Sequence, residues 1–282
     1  MDRRLFIKKF LYAGIGATLI ASYPLVFERY LIRENHYKIV LKDLPREFTG
    51  FRILQLTDLH YGFLAPRILM EYVINRSNSI EKDVIVCTGD YVHKKRSTKE
   101  IDTVWPLLKR LNAPMGVYSV LGNHDHWVDS EHSLYWLEKS GQSLRNKVTS
   151  IERNGKRIWL GGCGDIWEDD LIIDETFSGV NPSDFKILLA HNPDTADREY
   201  KTKINLFISG HTHGGQVNLP LMGPILLPVQ NKRFTSGLIH TKRTSVFISK
   251  GIGWAVVPIR FNCSPEIAVL HLYPQKKQLI EG

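Results

Sequence analysis

The chain of 282 residues is 43% apolar and 23% charged, which is ordinary globular composition and excludes a disordered, collagen-like or multi-span membrane protein. Its 37 Lys and Arg against 29 Asp and Glu give +8, but residues 1–34 alone hold +3 and leave +5 for the other 248. So mild an excess does not describe a surface that coats nucleic acid, and no specific nucleic-acid binding is expected.

The head opens MDRRLFIKKF and is then uncharged from Phe10 to Phe27. As a helix this run is about 27 Å long, just enough to cross a hydrocarbon core of about 30 Å once. Arg3, Arg4, Lys8 and Lys9 precede it, which places the N-terminus in the cytoplasm and the rest of the chain on the extracytoplasmic face of a bacterial cell membrane. An uncleaved anchor and a cleaved export signal both fit; the small residues a cleavage site needs are hard to place, which favours the anchor. The run Arg3-Arg4-Leu5-Phe6-Ile7-Lys8 also resembles a twin-arginine signal, which exports proteins already folded.

Residues 36–44 alternate apolar and polar and read as a half-buried strand. Strands follow at 51–56, 83–87 and 117–121, with helices at 66–77, 98–112 (kinked before Pro106) and 130–140, the last capped by Ser130 and stopped by Gly141. Residues 148–153 and 156–160 flank Asn154-Gly155, a strong hairpin signal. Further strands are expected at 185–190, 204–209, 245–249 and 266–272. The expected organisation is a head (1–30), a leading strand and connection (31–49), one catalytic domain (50–273) and a tail (274–282). Cys87, Cys163 and Cys263 share no metal or disulfide spacing and sit in apolar runs, so they read as small core residues.

Five of the apolar runs end in Asp, Asn or His: Asp58-Leu59-His60, Gly89-Asp90, Gly122-Asn123-His124-Asp125, His191 and Gly210-His211-Thr212-His213. Strand carboxyl ends are where α/β sheets place their ligand sites. Asp58, His60, Asp90, Asn123, His191, His211 and His213 offer nitrogen and oxygen donors without thiolate, a set that suits divalent Mn, Zn or Fe. They are too many for one tetrahedral ion, whereas two ions about 3.5–4 Å apart sharing a carboxylate would use them all.

The order DLH, GD, GNHD, H and GHTH resembles the calcineurin-like metallophosphoesterase family over residues 50–273. The resemblance implies a four-layer α-β-β-α sandwich behind the N-terminal membrane or signal segment. It implies a first metal on Asp58, His60, Asp90 and His213, and a second on Asp90, Asn123, His191 and His211. His124 matches the family's histidine that contacts the substrate phosphate and protonates the leaving oxygen. Protein phosphatases of the family carry an aspartate three residues after GD that orients this histidine; here the position is His93. Asp125 or a carboxylate from elsewhere is left to orient His124, and a small-substrate esterase is favoured over a protein phosphatase.

His213-Gly214-Gly215-Gln216-Val217, with Lys250-Gly251-Ile252-Gly253 and Pro258-Ile259-Arg260-Phe261, resembles the membrane-associated bacterial branch typified by YkuE and YaeI. That branch is similar to UDP-2,3-diacylglucosamine pyrophosphatases of lipid A synthesis, whose cytoplasmic site argues against that substrate for an exported domain. Residues 217–229 and 254–259 are apolar and uncharged; they read either as a greasy rim for a bilayer or acyl chain, or as hairpins packed on the core. Arg260 is the candidate contact for a substrate phosphate. The expected activity is metal-dependent hydrolysis of a phosphodiester or pyrophosphate in a phosphorylated small-molecule or lipid-linked substrate. The alternative from another class is a metal-binding scaffold that has lost turnover.

Overall fold

Alternation along the strands sorts the apolar residues into layers. In β2 (Phe51–Leu56) and β3 (Val84–Thr88), Phe51, Ile53, Val84 and Val86 face one way, and Leu54, Leu56, Ile85 and Cys87 the other. Both faces are apolar because both are covered, as parallel neighbours with helical crossovers require. The computed structural model describes residues 3–62, 64–93 and 98–275.

The head is helix α1 (Arg3–Val26), as the uncharged run predicts. Among the described residues no helix is long and apolar enough to cross a membrane; the run mixes Gly, Ser, Tyr and Pro24 with its apolar residues, and many of its side chains lie outside those described. Its C-terminal end is latched to the body. The Pro24 carbonyl accepts from Arg260 N at 3.1 Å, and buried Glu28 accepts from the backbone of Asn262 and Cys263 at 3.0 and 2.8 Å. Of the expected tail, everything after Gln275 lies outside the described residues.

The remaining elements are β1 (Arg33–Leu41), α2 (Arg67–Ser79), α3 (Thr98–Leu108), β4 (Val117–Val120), α4 (Asn123–Ser140), β5 (Lys147–Arg153), β6 (Lys156–Gly162), α5 (Ile173–Thr176), β7 (Lys186–Leu189), β8 (Leu206–Ser209), β9 (Asn218–Leu219), β10 (Gly223–Pro224), β11 (Gly237–His240), β12 (Ser245–Ile248) and β13 (Glu266–Pro274). They form a sheet of order β1-β13-β2-β3-β4, a second of order β11-β12-β8-β7-β6-β5, and the small β9–β10 ribbon. The leading strand β1 is therefore part of the first sheet, parallel to β13.

A middle core lies between the sheets, where Ile53, Val84 and Leu270 of the first meet Ile158, Ile187 and Ile208 of the second. The first sheet's outer face packs on α2, α3 and α4 through Leu69, Val73, Trp105 and Leu137. The second sheet's outer face differs from the expected helical layer: it is covered by the four-residue α5, a short 3-10 turn and loops, through Phe177, Ala196, Leu227 and Phe234. The segments 163–205 and 217–236 carry no long amphipathic stretch from which a helix would form.

The third expected helix also differs. α4 starts at Asn123, with Gly122 as its cap, and breaks at Asp129 (φ −168, ψ 104). Asp129, not Ser130, caps the second part, accepting from His132 N at 3.0 Å. Gly141 stops it at φ 76, as expected. Asn154 and Gly155 take positive φ at the β5–β6 turn, also as expected.

Candidate metal and catalytic site

The carboxyl ends of β2, β3, β7 and β8, with the start of α4, converge on one point. Asp58, His60, Asp90, His211 and His213 all adopt positive φ, between 46° and 69°. Such backbone is strained for residues other than glycine and clusters at functional sites. Gly89 makes the convergence possible: at φ 93 it lies so close to Gly122 that a Cβ would strike that residue's backbone nitrogen.

Two groups of donors result. In the first, His60 Nε2 and His213 Nε2 face each other at 2.9 Å, with Asp58 Oδ1 3.3 Å from His213 Nε2. In the second, His191 Nε2 lies 3.1 Å from His211 Nδ1 and 3.3 Å from Asp90 Oδ2. That same Asp90 oxygen is 3.5 Å from His60 Nε2, so one carboxylate joins the groups. Asn123 lines the same cavity as Asp90 and His211.

These residues fit a divalent metal on observations of their own. His191 Nδ1 donates to the Thr88 carbonyl at 2.7 Å and His211 Nε2 to the Pro228 carbonyl at 2.9 Å. Their facing nitrogens are thus left as lone pairs that repel unless a cation or proton lies between them; this outer hydrogen bond is the usual one for a metal-ligating histidine. Asn123 Oδ1 is buried with no hydrogen-bond partner, an orphan acceptor that a cation would satisfy. Burial holds His60 and His213 well below the ordinary histidine range and His211 down to about 3, in the neutral state that ligates. Burial also opposes charge on His191, but the adjacent Asp90 carboxylate outweighs it and lifts this ring to about 10. A proton there occupies the place a metal would take.

Asp125 ties the turns together. Its carboxylate accepts from the backbone of Asp90 and Tyr91 at 2.8 Å and of Gly122 at 2.9 Å. It is spent on the backbone, so it does not orient the His124 ring, one of the two alternatives the sequence left open. That ring sits among other rings: His60 at 4.6 Å edge-on, His93 at 4.9 Å stacked, Trp127 at 4.7 Å tilted. The backbone of His124 donates to Asp90 Oδ1 at 2.9 Å.

Asp90, Asn123, His211 and His213, with His124, line a cavity of about 420 Å³ whose apolar wall is Val217, Ile225, Leu226, Pro228, Val256 and Val257. The two apolar loops divide between their alternatives. Leu227, Val229 and Trp254 are buried, whereas Leu221, Met222, Ile225, Leu226 and Val256 are at least 62% exposed. Trp127, in the first turns of α4, and Trp167, on a loop, also line the cavity; single tryptophans at these positions gave no signal in the sequence.

Arg260 is not where the sequence suggested. It is fully buried and donates to the carbonyls of Gly253, Lys250 and Cys263 at 2.9, 2.9 and 3.3 Å, with Nη2 3.2 Å from His213 Nδ1. A guanidinium so buried and so bonded is a brace for the 250–263 loop behind His213, not a contact for substrate. The three cysteines are free and buried, and burial raises Cys87 to about 12.

Clustered oxygen and nitrogen donors at the strand ends of two sheets could hold metal, and likeness to phosphoesterases makes the chain a metal-dependent phosphoester hydrolase. The calcineurin-like phosphoesterase profile matches residues 51–215, and the chain belongs to that family. It is 33% identical over 279 residues to the uncharacterized metallophosphoesterase YkuE of Bacillus subtilis, covering 96% of this chain and 98% of that one. It is 31% identical over 226 residues to the phosphodiesterase YaeI of Escherichia coli, covering 79% and 82%. A more distant relative, 24% identical over 326 residues and covering 93% and 98%, is the UDP-2,3-diacylglucosamine pyrophosphatase LpxG of Chlamydia muridarum.

Proposed function

We propose that the protein hydrolyses a phosphodiester or pyrophosphate bond in a substrate that carries an apolar portion, using two divalent ions. The observation that carries this reading is that Asp90, His211 and His213 of the donor clusters share one cavity with His124 and an apolar wall. Asp58, His60, Asp90 and His213 would hold one ion; Asp90, Asn123, His191 and His211 the other. Bound ions of this kind acidify water and neutralise charge on phosphoryl oxygens. The chain's own part is to hold them through the outer hydrogen bonds of His191 and His211. His124 stands at the cavity side of the cluster and is the proton donor to the departing oxygen. The wall of Ile225, Leu226, Val256 and Val257 excludes water and accommodates the apolar portion.

The head is proposed as an uncleaved anchor that keeps the domain at the extracytoplasmic face of the cell membrane, exported by its twin-arginine-like start. The latch of Pro24 and Glu28 onto residues 260–263 supports retention, because cleavage before Glu28 would remove the Pro24 acceptor. A second reading, pyrophosphate cleavage in a nucleotide-linked acylated sugar, is supported by the likeness to LpxG together with the apolar wall, but it requires the domain to face the cytoplasm and so competes with the exported placement. A scaffold without turnover is disfavoured by His124 standing beside a full donor set. The test is one assay of a generic monoester, a generic diester and a lipid-linked pyrophosphate on Mn- and Zn-loaded protein. Turnover of the diester or pyrophosphate well above the monoester is expected; hydrolysis of the monoester alone would overturn the proposal.

A further inference from the structure

His93 stands where the sequence departs from the protein-phosphatase pattern; one of its ring nitrogens lies within 4.8 Å of one on His60 and one on His124, but neither of the two proposed ion sites nor the proton-donor role uses it. Its Nδ1 lies 3.1 Å from His60 Nδ1, while His60 Nε2 points into the first donor group. The ring also stacks on His124, with centroids 4.9 Å apart and planes 24° from parallel. His60 and His124 meet edge to face at 4.6 Å, so the three rings form one packed unit beside the cavity.

We infer that His93 is a positioning residue for two neighbours at once: its Nδ1 accepts the Nδ1–H of His60 and turns that ring's Nε2 toward the metal, and its face holds the His124 ring against the cavity. A histidine ligating through Nε2 carries its proton on Nδ1 and needs an acceptor there; such outer partners commonly alter metal affinity by about 10–100-fold. At His191 the acceptor is a carbonyl on a strand end; at His60 it is a side chain, and His93 is the side chain within reach. An aspartate would also accept that proton but would present no ring face to His124. A histidine does both, which accounts for its presence here.

The inference rests on the reading of the cluster as a metal-dependent phosphoesterase site, and its test separates the two. Asparagine places an oxygen where the histidine Nδ1 stands but has no ring; phenylalanine keeps the ring face but has no acceptor. His93→Asn is therefore expected to bind Mn²⁺ like the unaltered protein by calorimetry of metal-stripped enzyme. Its kcat for bis(p-nitrophenyl) phosphate at saturating Mn²⁺ should fall about 10-fold at near-constant KM. His93→Phe should show the reverse, with affinity for one of the bound ions down about 10–100-fold and kcat at saturating metal within about 2-fold. Metal affinity and kcat that fall together in both variants, or stay unchanged in both, would overturn the role. Failure of the unaltered protein to bind Mn²⁺ or hydrolyse the diester would instead remove the parent reading.

Discussion

The strand-end cluster and the apolar wall face each other across one cavity and are built in opposite ways. In the cluster, Asp58, His60, Asp90, Asn123 and His191 are buried and their positions are fixed by strained turns, by Asp125 and by outer hydrogen bonds. Across the cavity, Ile225, Leu226 and Val256 stand on loops that expose them. On the proposed function, chemistry and selectivity fall to separate parts: the buried set for the reacting phosphorus and the exposed apolar set for what is attached to it. Changes in the cluster should damage every substrate alike; changes in the wall should discriminate among substrates.

The sharpest break is Asp90→Ala, which removes the carboxylate common to both donor groups. Bound metal measured by elemental analysis should fall well below that of the unaltered protein, and turnover of every substrate should drop to background. Next is His124→Ala, which removes a ring packed beside His60 but none of the proposed ligands: metal content should stay near normal while kcat falls by about 10²–10⁴. Full turnover in this variant would reassign the proton donor. Chelation should lower the melting temperature by roughly 10–20 °C, since each of two ions supplied at about 100 times its Kd stabilises by about 2.7 kcal/mol and each kcal/mol is worth about 2–4 °C in a domain of this size. Re-addition of metal should restore it.

The wall gives the smallest and most selective effect. Leu226→Ser should raise KM for a long-chain acylated diester by about 10-fold, the value of burying one leucine side chain. It should leave bis(p-nitrophenyl) phosphate within about 2-fold and metal content untouched. An equal loss on both substrates would erase the distinction between the two parts.

The same contrast governs what could be read from the sequence. The strand ends were legible because a buried parallel strand is a short apolar run, and a ligand at its end interrupts that run with a charged or polar residue: VIVC before Thr88-Gly89-Asp90, INLFIS before Gly210-His211. The Asn154-Gly155 turn was legible because both residues accept positive φ. Tertiary context hid the rest. The first turn of α4 is held by Asp125 and Gly122 more than by an apolar stripe, so the sequence placed its start at Ser130. The thin loop layer over the second sheet leaves no periodic signal. Arg260 looked like a phosphate contact because nothing in the chain discloses that Gly253, Lys250 and Cys263 turn their carbonyls toward it.

The account stands most directly on one titration: metal-stripped protein, Mn²⁺ added stepwise, with bound ion and hydrolysis of bis(p-nitrophenyl) phosphate followed together. It predicts no turnover without metal and a rise that levels off at about two ions per chain. Turnover that is present after stripping and indifferent to added metal would contradict it.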